Sequence, residues 1–79
     1  MITPTQIQAL YAERSDAMER YAAQHIGDEA AEAVVLRAFE QVARSAERIE
    51  PEGLAAYAMT VLRSKITRYR RQREEVMPI

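Results

Sequence analysis

The sequence predicts an all-α domain, a small bundle of three main helices. Apolar residues recur at helical spacing in three successive runs, and no run of β-branched residues alternates with the period of a strand. The clear punctuation between the runs is Gly27 and the segment Glu50-Pro51-Glu52-Gly53; no Asn-Gly or Asp-Gly hairpin turn, internal repeat or low-complexity tract interrupts them. At 79 residues the chain makes one domain with a limited core.

The first helix is expected from Pro4 to about Ile26. Thr3 suits the N-cap, Pro4 the first helical position, and Gln6 completes a capping box. Ile7, Leu10, Tyr11, Ala17, Met18, Tyr21 and Ala22 form its apolar stripe, which Arg14 interrupts. A break near Ser15 is compatible with the pattern, and Gly27 is the natural terminator. Asp28 is expected to cap the second helix, with Glu29 and Glu32 in its first turn. Ala31, Val34, Val35, Ala38, Phe39, Val42 and Ala46 supply its apolar side, and the helix should fade near Arg48. Pro51 is a candidate start for the third helix, whose stripe runs through Leu54, Ala58, Val61, Leu62, Ile66 and Tyr69. Residues 74–79 read as a frayed tail.

Composition narrows the function. There is no cysteine, so disulfides and thiolate metal sites are excluded, and no uncharged run approaches the length of a membrane span. The N-terminus lacks the pattern of a signal peptide, and a soluble cytoplasmic protein is expected. His25 is the only histidine, placed to cap carbonyls or to face solvent, and no second histidine or cysteine completes a catalytic pair. Two glycines cannot build a phosphate-cradling loop. The reading is a non-enzymatic protein without a cofactor or metal.

Net charge is −1, but it is unevenly spread. Residues 1–62 hold ten carboxylates against five arginines, whereas residues 63–73 hold six cations and no carboxylate. A nucleic-acid reader needs such a local basic surface more than a basic average, though cations also suit the end of a helix dipole. At 100° per residue, Thr60, Arg63, Ser64, Thr67, Arg70 and Arg71 gather opposite the apolar stripe, a mix suited to phosphate and base-edge contacts. Lys65 falls within the stripe, so it must snorkel or the helix must extend beyond the core there; Arg68 lies between the faces, and Arg73 adds backbone attraction. Tyr57, at the edge of the stripe near the turn, is a candidate partner contact, while Tyr11, Tyr21 and Phe39 belong to core stripes.

In order, these features resemble region 2 of bacterial sigma factors of the extracytoplasmic-function group. The segment GDEAAEAVVLRAF, Gly27 to Phe39, is similar to the family's Gly-Asp turn and its Ala-Glu-Asp-hydrophobic-hydrophobic-Gln-Glu-x-Phe helix, with Ala31, Glu32, Val34, Val35 and Phe39 matching. Pro51-Glu52-Gly53 and Ala56-Tyr57-Ala58 resemble the loop and aromatic start of its DNA-reading helix, and Arg63, Arg70 and Arg71 keep its basic end. The chain departs from the family at Ala33, Leu36 and Arg37, where an acid, a glutamine and a glutamate are usual, at Ser64 and Arg68, where Asn and Asp are usual, and at Tyr57, which replaces a tryptophan.

The resemblance implies a sigma region-2 fold with RNA polymerase core and promoter DNA as partners, and a regulatory protein of anti-sigma type as a further one. Glu32, Val35, Leu36 and Glu40 would face polymerase. Tyr57, Thr60, Arg63, Ser64, Lys65, Thr67, Arg68, Arg70, Arg71 and Arg73 would face the promoter's minus-ten element. The second reading is a helical interaction module that binds a protein, or itself as a homodimer, through the alanine-rich second helix with Val35 and Leu36 on one exposed patch.

Overall fold

The computed structural model describes residues 2–76, with side chains through Glu74. Three helices, α1 (Pro4–Ile26), α2 (Asp28–Arg44) and α3 (Leu54–Val76), enclose one core. Two short 3₁₀ turns, Ala46–Arg48 and Pro51–Gly53, lie between α2 and α3.

The start of α1 follows from its cap. The Gln6 backbone N–H donates to Thr3 Oγ1 at 3.2 Å and the Thr3 N–H donates to Gln6 Oε1 at 2.8 Å, so two otherwise orphaned donors are satisfied reciprocally. Ile2, just before the cap, is 4% exposed; with Ile7 it occupies the positions of a hydrophobic staple, and both line a cavity with Ala43 of α2 and Ala46 of the turn that follows it. The sequence stripe began at Ile7 and did not include this anchor. α1 then runs without a break past Ser15.

Gly27 alone joins α1 to α2. Its φ of 88° and ψ of 160° lie in a region essentially reserved for glycine, which reverses the chain within one residue. Its N–H donates to the Ala23 carbonyl at 2.9 Å, closing α1. The expected cap by Asp28 is corrected: Gly27 is the N-cap, no side chain caps α2, and Asp28 is the first helical residue. There its carboxylate, with that of Glu29, still complements the positive end of the helix dipole.

α2 ends at Arg44, earlier than the fading expected near Arg48, because the Ser45 N–H turns back to the Gln41 and Val42 carbonyls and a 3₁₀ turn follows. Pro51 opens the second 3₁₀ turn rather than α3 itself, and α3 begins at Leu54. The core brings together Leu10, Met18, Ala22 and Ile26 of α1, Val34, Val35, Ala38, Phe39 and Val42 of α2, and Leu54, Ala58, Val61, Leu62 and Ile66 of α3. The Tyr11 and Phe39 rings meet edge-to-face at 5.0 Å, tying α1 to α2.

The bundle is 48 Å long against 22 and 15 Å in the other directions. α3, 23 residues and about 34 Å long, overhangs its partners at its C-terminal end, as its burial pattern shows. Its last buried residue is Ile66, Tyr69 is half-buried, and residues 70–74 are all exposed. The helix continues through Glu74 to Val76, the first part of the stretch expected to fray; residues 77–79 lie outside the described residues.

Candidate nucleic-acid interface

α3 starts against the middle of α1, where Ala55, Ala58 and Met59 share a cavity with Leu10, Arg14 and Met18. Further along, it meets the C-terminal part of α2 at Gln41. Between Gln41 and the overhanging half of α3 lies an open cleft of about 700 Å³. Lys65, Arg68 and Arg71 supply its cations, and Ser64, Thr67 and Gln72 complete the lining; no carboxylate is among the lining residues.

Helical spacing explains the grouping. Ser64, Arg68 and Arg71 follow one another at four and three residues, and Lys65, Arg68 and Gln72 at three and four, so both rows climb one flank of α3. Lys65 is half-buried, as expected of a lysine whose stem lies along apolar surface while its ammonium reaches the opening. Arg68 and Arg71 are exposed and offer planar guanidinium groups that pair with phosphate oxygens through two parallel hydrogen bonds.

The sequence-predicted surface is thereby divided. Ser64, Lys65, Thr67, Arg68 and Arg71 share the cleft. Thr60, Arg63, Arg70 and Arg73 are exposed on α3 but do not line it. Arg63 and Arg70, seven residues apart, form an outward ridge. Arg73 sits over the Tyr69 ring at 5.9 Å, a cation–π contact on another side of the helix. Lys65 and Arg68, which the helical projection had set outside the polar face, are thus central to the cleft. Tyr57 is half-buried and packs against the core.

The two threonines are constrained as donors. Thr60 Oγ1 donates to the Ala56 carbonyl and Thr67 Oγ1 to the Arg63 carbonyl, each at 3.0 Å. A hydroxyl has one proton, so in this arrangement neither threonine donates to a phosphate; both keep lone pairs able to accept from a base amino group. Gln41 and Gln72, which sequence reasoning did not select, add amide donors. Gln72 was legible as the residue four on from Arg68. Gln41 was not, because only the crossing of α2 and α3 brings it there.

On α2, Glu32, Leu36 and Glu40 are exposed along one face at four-residue spacing. Leu36 is 44% exposed. Val35, expected on that face, is instead 0% exposed, in the middle of the row Ala31, Val35, Phe39 that packs into the core. The exposed patch expected to pair it with Leu36 therefore contains Leu36 without Val35.

Elsewhere, Asp16, Glu19, Asp28 and Glu32 line a groove of about 320 Å³ with Arg20 between α1 and the start of α2. Its four carboxylates against one arginine reverse the charge balance of the cleft, whose charged lining residues are all cations. His25 is exposed, its ring 4.8 Å from that of Tyr21. Among the described residues no group of three or more His, Cys, Asp and Glu is arranged to hold a metal ion, and no helix is long and apolar enough to cross a membrane. Comparison with protein families, characterised proteins and solved structures brought out no match.

Proposed function

We propose that this chain is a non-enzymatic, sigma-like transcription protein that holds promoter DNA along α3 and meets RNA polymerase core through the outward face of α2. The observation that carries the reading is the cleft between Gln41 and α3, which collects Lys65, Arg68 and Arg71 without a carboxylate among its lining residues. Cations clustered beside amide groups attract a phosphate backbone and position it. The outward ridge of Arg63 and Arg70 extends the field around the cleft, and Arg70 is tempered by Glu74 four residues on. The motif resemblance along Gly27 to Phe39 supplies the narrower assignment to the sigma region-2 class. The cationic cleft supplies the broader one, to nucleic-acid binding.

The polymerase-facing surface in this reading is Glu32, Leu36 and Glu40. Leu36 stands where the family places a glutamine, so a polar partner facing it loses a hydrogen bond, which costs about 1–3 kcal/mol. Capture of core RNA polymerase by the immobilised chain tests the assignment, with Leu36→Gln beside the parent. Stronger capture by the variant is the expected result. Capture by neither, together with salt-sensitive DNA binding, would leave a nucleic-acid binder outside the sigma class.

A further inference from the structure

An apolar cavity and an apolar knob on this molecule complement each other in size and charge. The cavity, of about 250 Å³, opens between α1 and the start of α3. Leu10, Ala17 and Met18 line it from α1 and Ala58 and Met59 from α3, and its one charged lining residue is Arg14. Arg14 is the residue that breaks the apolar stripe of α1, and the nucleic-acid reading leaves it without a role. The volume lies below the range that holds a cofactor or drug-sized ligand, and its alanine walls suit a single aliphatic side chain.

The knob is Leu36, the large apolar side chain that the described residues leave exposed. Glu32 and Glu40 flank it one helical turn before and after, both exposed on the same face of α2. Such a side chain with a carboxylate on either side is what a cavity with one rim cation would receive. We infer that Leu36 of one copy of this chain enters the α1–α3 cavity of a second copy, with Arg14 meeting Glu32 or Glu40.

Because each pair of helices in the bundle is in contact, the α1–α3 groove lies on the side away from the outward face of α2. Knob and cavity therefore point in different directions, and the contact is heterologous, adding copies head to tail instead of closing a two-fold dimer. The net charge of −1 imposes little repulsion between copies. One anchor and one rim pair make a small interface, of the weak and transient class. Association through Leu36 also covers the surface assigned above to polymerase, so the two events exclude one another; the self-association itself does not rest on that assignment.

Sedimentation equilibrium of the full chain, up to a concentration on the order of 1 mM where weak contacts are populated, tests the inference without DNA or polymerase. The weight-average mass of the parent is expected to rise steadily above 9.0 kDa with concentration. Leu36→Gln removes the knob, and Ala17→Glu blocks the cavity with a carboxylate. Both positions are exposed, so neither change touches the core, and circular dichroism checks the fold. Each variant alone should remain at the monomer mass. Mixed in equal amounts they should form a capped pair of twice that mass, since one retains the cavity and the other the knob. A parent that stays monomeric, variants that associate like the parent, or a mixture that stays monomeric would each overturn the inference.

Discussion

Removing Arg68 and Arg71 should change how salt governs nucleic-acid binding, by an amount the cleft geometry sets. Three cations line the cleft: Lys65, Arg68 and Arg71. If each neutralises one phosphate of a single strand, the slope of log affinity against log salt is about −0.7 per contact, or about −2 in all. Between 50 and 200 mM salt, affinity should then fall about 20-fold. The double variant Arg68→Gln, Arg71→Gln retains Lys65, so its slope should drop to about −0.7 and its loss over the same range to about 3-fold. The assay is fluorescence anisotropy with a labelled promoter-like strand across a salt series. Arg44→Gln, an exposed arginine of α2 that does not line the cleft, serves as the control and should leave the slope unchanged. Equal slopes for the parent and the double variant would refute the cleft as the phosphate site. A slope that falls instead for Arg63→Gln with Arg70→Gln would move the site to the outward ridge.

Three further expectations concern the scaffold, each read from urea or thermal unfolding. Leu62 is 0% exposed at the centre of the core, so Leu62→Ala should cost about 2–5 kcal/mol. Leu36→Ala, on the surface, should stay within about 0.5 kcal/mol of the parent; comparable losses would contradict the burial pattern. Gly27→Ala should destabilise by about 1–3 kcal/mol through backbone strain alone, since nothing lies within 4 Å of the added Cβ, whereas Gly53→Ala, with equal room and no positive φ, should be neutral or stabilise by about 0.4–1 kcal/mol. Thr3→Ala should cost about 0.5–2 kcal/mol by opening the capping box, and an unchanged midpoint would mean that the box contributes nothing in solution.

The architecture was largely legible because its signals are local. Thr3, Pro4 and Gln6 define the start of α1 through contacts within four residues, and Gly27 ends it through a conformation few other residues adopt. The apolar rows of α2 and α3 were read directly from their period. Where the reading erred, neighbouring choices competed. Asp28 has the chemistry of a cap, but Gly27 turns the chain so tightly that the aspartate is already helical. Val35 fits both a core row and a partner face until burial decides between them, and it is wholly buried.

The candidate site was only half legible. A one-helix projection finds that residues 63–73 are cationic, and it finds the polar face opposite the apolar stripe. It cannot say which flank of that helix borders a neighbour. Lys65 and Arg68 look misplaced on the isolated helix yet line the cleft, because α3 crosses α2 near Gln41. Likewise Arg14 is an interruption when α1 is read alone, and the rim of an apolar cavity once Ala58 and Met59 face it.

By itself, then, the sequence determined three helices, the capping box that opens α1 and the glycine that closes it, and the segregation of cations into the last helix, since all of these depend on residues within a turn or two of each other. The tertiary structure decided which cations share a cleft, that Val35 is interior and Leu36 is not, and that an apolar cavity opens between α1 and α3. Those properties depend on where one helix crosses another, and the spacing of residues along a single helix does not encode that crossing.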